Sequence, residues 1–264
     1  MLIEPAAPGT ALVRRPDDRL ADGLVTHLDR SPVDVDVARE QHVPYCRALA
    51  DAGWAVCEVD PAPGHPDSVF VEDTVVVVDD VALLCRSGAP QRRGEVEGTE
   101  RALADLGLRV ARIEAPGTLD GGDVLQVGRT VYVGRGGRTD GEGVRQLRRH
   151  LTPLGRRVVP VELKQVLHLK SAVTALPDGT LVGQAHLLDR SPFPTWREVD
   201  EEPGAHVVLL GGGRVLLAAS APATAAWLTD LGWDVVSVDV SEFEKLEGCV
   251  TCLSVLVPAT HPRT

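Results

Sequence analysis

Apolar residues recur along this chain in two alternating rhythms. Four stretches, residues 37–60, 94–115, 141–163 and 221–240, carry them first at helical spacing and then break at a glycine. Past the glycine each continues into a β-branched run, as in "GLRVARIEA", "GRRVVPVEL" and "GWDVVSVDV". A glycine just beyond a helical pattern is a stop signal, because it adopts the left-handed conformation that closes a helix without a Cβ penalty. Between these stretches lie paired apolar segments with turn residues at their centres. They are "SVFVEDTVVVVDDVALLCR", "GDVLQVGRTVYVGR", "SAVTALPDGTLVGQA" and "AHVVLLGGGRVLLAA". Together the two rhythms predict a hairpin–helix–strand module repeated about every 50 residues, a period typical of stacked or closed arrays. No stretch reads as an interdomain linker, so one domain over residues 1–264 is expected.

With 264 residues the chain is long enough to bury a substantial core. Aromatic residues are only 3% of it, so valine, leucine and alanine must supply most of that core. The net charge is −11 and lysine and arginine form no long runs, which argues against nucleic acid or an anionic membrane as partner. The opening "MLIEPAAPGTALVRR" lacks the apolar stretch of a signal peptide. The longest weakly polar run, residues 215–228, is too short to span a bilayer and contains Pro222. Five cysteines without an export signal suggest reduced thiols in a cytoplasm.

Polar residues set into the apolar segments carry the chemistry. Asp67, Glu72 and Asp73 crowd the start of the strand expected in "PDSVFVEDTVVVV". Asp120 and Asp123 flank two glycines in "APGTLDGGDVLQVG", and His168 sits at a strand start in "VLHLKSAV". Taken singly, each has a plain structural reading: a solvated strand end, a turn, a satisfied histidine. Cys249 and Cys252 lie in "KLEGCVTCLSVLVP". A zinc clip would need a second ligand pair, and a thioredoxin-like pair would open a helix, whereas residues 253–257 read as a strand. Spacing alone leaves structural, redox, metal-binding and nucleophilic thiols open. Combined with the histidine and carboxylates, the cysteines complete a set of nucleophile, acid/base and cation-binding groups.

Six motifs in order, "PDSVFVEDTVVV", "RSGAPQRRGEV", "APGTLDGGDV", "GRGGRTDGEG", "VLHLKS" and "EGCVTCLSVL", resemble those of the dimethylarginine dimethylaminohydrolases, within the guanidine-modifying, arginine deiminase-like superfamily. The resemblance runs from about residue 11 to 257. It implies a single-domain five-bladed α/β-propeller, the pentein fold, with the site on its axis. The fifth blade would have to include "LLDRSPFPTWREVDEEPG", where no module is visible.

The resemblance also implies roles. Cys252, after Thr251, matches the nucleophile, and Cys249 falls at a variable position and is read as a bystander whose replacement leaves activity. His168 matches the acid/base. Asp73 and Asp120 match the carboxylates that hold the guanidinium, Asp120 standing where many relatives have a glutamate one methylene longer. Arg92 and Arg138 match the carboxylate-binding arginines, with Arg93 beside the first. Asp67 and Glu72 match polar substrate contacts, and the main-chain carbonyls of Leu24 and Leu246 match the ammonium site. Asp123 is read as a turn residue and Lys170 as facing away from the reaction. No metal or other cofactor is implied, the substrate is a small methylated arginine, and a homodimer is left open. Arginine deimination, or hydrolysis of another alkylguanidine, is the alternative on the same scaffold, although the inserted helical domain of arginine deiminases finds no room here. A non-catalytic arginine- or metal-binding protein is the alternative from another class, and it would need neither Cys252 nor His168.

Overall fold

The computed structural model describes residues 7–259, so both ends of the expected 1–264 span, and the start of its opening stretch, lie outside the described residues. The chain begins with strand β1 (Thr10–Val13), helix α1 (Val35–Asp51) and β2 (Ala55–Glu58). Then follow β3 (Val75–Val78), β4 (Val81–Leu84), α2 (Val96–Ala104) and β5 (Arg109–Arg112). The third module is β6 (Val124–Val127), β7 (Thr130–Arg135), α3 (Gly141–Leu151) and β8 (Arg157–Glu162). The fourth holds β9 (Val173–Ala175), β10 (Leu181–Gly183) and β11 (Trp196–Glu198). The last comprises β12 (Val208–Gly211), β13 (Arg214–Ala218), α4 (Pro222–Asp230), β14 (Asp234–Val238), α5 (Ser241–Glu244) and β15 (Ser254–Val257).

These strands form five three-stranded sheets of one design. In each, a central strand pairs antiparallel on one side and parallel on the other, as β4 does with β3 and β5. A parallel neighbour needs a crossover, and the amphipathic helix supplies it. The four predicted helices end where expected, with Gly53, Gly107, Gly155 and Gly232 all at positive φ. One sheet is built from both ends of the described chain: β1 pairs antiparallel with β15, Thr10 opposite Val257, and parallel with β2.

Apolar side chains close the sheets into a ring. Val76 and Leu83 pack with Val124 and Val131, joining the second sheet to the third. Leu125 and Tyr132 pack with Val173 and Leu181, and Val182 packs with Val207 and Val215. Leu210 and Leu216 then meet Ala11 and Val13, and Leu12 and Val255 meet Val75 and Leu84. Each cluster spans two consecutive sheets and the last returns to the first, which makes the five-bladed α/β-propeller that the resemblance implied.

The fourth blade departs from the pattern. Its crossover contains only the 3-10 turn Ala185–Leu187 in place of an α-helix, and β11 falls inside the stretch where no module was visible. Aromatic rings take the place of the helix stripe: Phe193 packs on Tyr132 with centroids 4.7 Å apart and on Trp196 at 5.7 Å. Such rings bury large areas per residue, so three of them replace several aliphatic contacts. No helix among the described residues is long and apolar enough to cross a membrane.

Candidate active site

A tight turn precedes the innermost strand of every blade. Residues Val71–Thr74 form a 3-10 turn before β3, Gly121–Asp123 before β6, Leu169–Ser171 before β9 and Glu202–Ala205 before β12. A further turn, residues 250–253, precedes β15. The expected start of the β3 strand is therefore corrected: Asp67, Glu72 and Asp73 lie in 3-10 turns ahead of it, because the chain must bend before it joins the sheet. His168 likewise stands before a turn, ahead of β9. These turns bring Asp73, Asp120, His168 and Cys252 together, all of them buried.

His168 sits between two carboxylates, its Nε2 3.2 Å from Asp120 Oδ2 and its Nδ1 3.7 Å from Asp73 Oδ1. Burial alone would lower its pKa, but Asp73 and Asp120 outweigh that effect and raise it to about 9. Asp73 is held well below the usual carboxylate range despite its burial, by His168 and by Arg92. Ligating atoms of Asp73, Asp120 and His168 lie within 4.8 Å of one another, a spacing that suits a cation. Gly122 donates to Asp73 Oδ1 at 3.0 Å, and a Cβ at Gly122 would stand 2.7 Å from His168 Nδ1, so only glycine lets the turn approach so closely. Asp123 does more than turn the chain. It is fully buried, takes hydrogen bonds from Thr139 Oγ1 at 2.6 Å and from the amide of Leu169 at 2.9 Å, and so fixes the backbone next to His168.

Cys252, His168 and Asp73 line one small cavity with Leu24, Asp67, Arg92, Arg138 and Leu246, and its volume is about 10 Å³. That is room for roughly one water, so any larger occupant requires the covering loop to move. The loop is strapped down at its backbone. Asp67 Oδ1 accepts from the amide of Leu24 at 2.9 Å, and the Glu247 carboxylate accepts from Thr26 and His27 at 2.6 and 2.7 Å. Among the described residues no backbone amide donates to the carbonyls of Leu24 and Leu246, two residues that line the cavity.

Several expected roles change. Arg92 is no free fork for a carboxylate: it bonds Glu95 through Nε and Nη2, Asp73 through Nη1 at 2.6 Å, and the carbonyls of Asp67 and Phe70 through Nη2. It anchors Asp73. Arg138, by contrast, bonds only Asp120 Oδ2 among the described residues, at 3.4 Å, which leaves most of its N–H groups available. Asp120 is fully buried and reaches the cavity through His168 and Arg138 rather than along its wall. The Glu72 side chain points elsewhere, to Lys170 Nζ at 2.6 Å, and the pair lines a separate cavity of about 260 Å³. Burial pushes Glu72 up to about 8 against the pull of Lys170, and burial acts to lower Lys170 while the Glu72 carboxylate raises it. The Glu72 amide still donates to the carbonyl of Cys252 at 3.2 Å and steadies the thiol loop.

Cys249, expected to be a bystander, packs directly against Cys252. Its Sγ lies 3.2 Å from Cys252 Sγ and 3.1 Å from Thr251 Oγ1. The sequence reading also passed over His206, which is buried and stands two residues ahead of β12. Asp73 and Cys252 stand at the same offset from β3 and β15, and that shared position was the signal available for it.

No family profile matches the chain. An N(G),N(G)-dimethylarginine dimethylaminohydrolase of Streptomyces coelicolor is 62% identical over 246 residues, which cover 93% of this chain and 95% of that protein. The protein of the same name from Pseudomonas aeruginosa is 36% identical over 248 residues, covering 92% of this chain and 97% of the relative. Among solved structures, a dimethylarginine dimethylaminohydrolase variant in adduct with S-methyl-L-thiocitrulline superposes with a TM-score of 0.89 at 34% identity, over 95% of this chain and all of that one. A cysteine-to-serine mutant of the Pseudomonas aeruginosa enzyme complexed with citrulline gives 0.87 at 34% identity, over 96% of this chain and 100% of that one. The N-terminal domain of a cyanobacterial arginine dihydrolase shares the fold at 20% identity, with a TM-score of 0.84 over 94% of this chain and 98% of that one. The extent of these matches over nearly the whole chain, together with the site just described, places this protein in the dimethylarginine dimethylaminohydrolase family.

Proposed function

We propose that the chain is one catalytic unit, working in the cytoplasm, that hydrolyses Nω-methylated L-arginines to L-citrulline and methylamine or dimethylamine. One observation carries this reading: a thiol and an imidazole open on a single cavity with a committed carboxylate, Asp73, and an uncommitted guanidinium, Arg138, in its walls. A substrate that is cationic at one end and carboxylate-bearing at the other matches those charges. Asp73 would hold the planar guanidinium over Cys252, while Arg138 takes the α-carboxylate and the carbonyls of Leu24 and Leu246 take the ammonium.

A guanidinium carbon is a poor electrophile because its charge is delocalised, and a thiolate is the side-chain nucleophile suited to it. Cys252 attacks, the C–N bond to the methylated nitrogen breaks, and His168 delivers a proton to the leaving amine. The same imidazole then takes a proton from the water that attacks the thiouronium, whose C–S bond breaks to release citrulline. Asp120 keeps the ring aligned for both transfers. Incubation with methylated arginines, arginine and agmatine, with ureido products measured, tests the proposal. Citrulline from methylated arginines in preference to arginine supports it, and turnover of arginine alone transfers the protein to the deiminase reading.

Two substitutions probe the ends of the cavity. Arg138→Lys keeps a charge but loses the planar fork, so KM for a methylated arginine should rise at a cost of roughly 1.5–3 kcal/mol. Turnover of agmatine, which lacks the carboxylate, should be insensitive to that change, and equal sensitivity would remove Arg138 from the carboxylate site. Glu247→Ala releases the strap at Thr26 and His27, two bonds together worth about 1–2 kcal/mol. KM should then rise about 5–30-fold with a smaller change in kcat. An unchanged KM in steady-state kinetics would mean that Asp67 alone holds the strap.

A further inference from the structure

Four of the five turns ahead of the inner strands deliver Asp73, Asp120, His168 and Cys252. The fifth delivers His206, which the reaction above does not use. Its Nε2 lies 3.0 Å from the carbonyl of Ser171 and 3.6 Å from Glu202 Oε1. A carbonyl can only accept, so Nε2 carries a hydrogen. Beside the ring is Cys249, and beyond Cys249, at 3.2 Å, is the sulfur of Cys252. Two buried thiols at that distance share a proton readily, because the thiol that keeps its hydrogen donates to the one that has lost it.

The surrounding charges decide which sulfur carries the negative charge. Cys249 faces His206 and the Thr251 hydroxyl, with Glu72 also in range and Glu202 and Glu244 lying beyond the imidazole. Cys252 faces Asp73, Glu72 and the Tyr45 hydroxyl, with Lys170 a nearby cation and with His168, Arg92 and Arg138 in the walls of its cavity. Resting on the reading of Cys252 as nucleophile, we propose that Cys249 is its proton acceptor: the free enzyme keeps the charge of the pair on Cys249 against His206, and a guanidinium arriving at Asp73 draws the proton of Cys252 across the 3.2 Å gap. The S–H bond of Cys252 breaks, an S–H bond forms on Cys249, and no proton passes to or from water. Cys249 is thus a catalytic residue and His206 a positioning residue.

The titration behaviour of the groups agrees with this placement. Cys249 is held well below the ordinary thiol range, first by the hydrogen bond from Cys252 and then, against burial, by His206 and Thr251. The same shared bond, together with burial, pushes Cys252 up. For His206 burial acts to lower the pKa, but Cys249 and Glu202 outweigh it and raise it to about 10, so the ring stays cationic through neutrality. An isolated thiol is only a few per cent ionised at about pH 7. The pair keeps a thiolate in store next to the nucleophile.

Ultraviolet thiolate absorbance followed across pH, alongside kcat/KM profiles, tests this in the wild type and in Cys252→Ser, Cys249→Ala and His206→Asn. Cys252→Ser retains a hydroxyl donor toward Cys249, so it should show a thiolate at about pH 7 although it is inactive. Cys249→Ala should lack that thiolate, and the acid limb of its kcat/KM profile should move toward the ordinary thiol value of about 8.5. Below that value it should lose about tenfold in activity per pH unit. His206→Asn should move the limb in the same direction by less. Absence of a thiolate in Cys252→Ser at neutral pH, or a wild-type acid limb in Cys249→Ala, overturns the proposal. If the wild type hydrolyses no guanidine, the proposed function falls, while the titration of Cys252→Ser still decides where the charge rests.

Discussion

Cys252→Ser should reduce citrulline formation by on the order of 10⁶-fold, the scale seen when a hydrolase loses its nucleophile, while a methylated arginine still binds. Oxygen in place of sulfur retains a donor for Cys249 and fits a site that is already closely packed, so the fold should persist. What is lost is chemistry. A serine hydroxyl is scarcely ionised near neutrality, and a thiolate on Cys249 has a proton affinity far below that of the alkoxide it would have to generate. Single-turnover product measurement together with binding calorimetry separates the two effects. Turnover within about tenfold of wild type would remove Cys252 from the reaction, whereas loss of binding would point to misfolding.

Asp73→Asn should be nearly as damaging, and for two reasons at once. The carboxylate receives Arg92 Nη1 at 2.6 Å and the amide of Gly122 at 3.0 Å, and it faces His168. An asparagine can still accept from Gly122 through the oxygen that also faces His168, but its amide hydrogens then meet the donor of Arg92. Removing one partner of a buried charge pair costs about 3–5 kcal/mol, so the denaturation midpoint should fall clearly. With the guanidinium no longer anchored, a displacement of about 1 Å at the reacting carbon costs on the order of a hundredfold, and kcat should drop at least that far. A folded variant with kcat within twofold of wild type would show that Asp73 only braces Arg92.

The propeller was legible wherever a module kept both of its rhythms. Helical spacing ending at Gly107, Gly155 or Gly232 gave α2, α3 and α4 with their following strands, because left-handed glycines mark those boundaries sharply. The fourth blade was not legible, since Phe193 and Trp196 do the covering work of a helix and aromatic contacts leave no period behind. The 3-10 turns were hidden for another reason: "VFVEDTVVVV" is equally apolar on both sides of the bend at Thr74. The motifs marked Cys252, His168, Asp73 and Arg138 through resemblance. They did not show that the Arg92 fork is committed to Glu95 and Asp73, or that Glu72 turns toward Lys170, since both depend on contacts between distant turns. Cys249 looked incidental because nothing local in "GCVTC" reveals the His206 beside it.

The strand that closes the ring also sets a schedule for folding. Cys252 stands two residues ahead of β15, and β15 is held by β1, with Thr10 opposite Val257. The other four sheets are made from neighbouring stretches of chain, so they can form early, whereas this pairing must close a loop of nearly the whole chain. During refolding, secondary structure should therefore return before activity does, with the nucleophile among the last groups to reach its place. Joining residues 7 and 259, whose backbones meet, with a short linker and opening the chain instead at Gly212, exposed in the β12–β13 hairpin, would make the β1–β15 pairing local. In such a permutant the lag should shorten, and the catalytic thiol would become an early arrival.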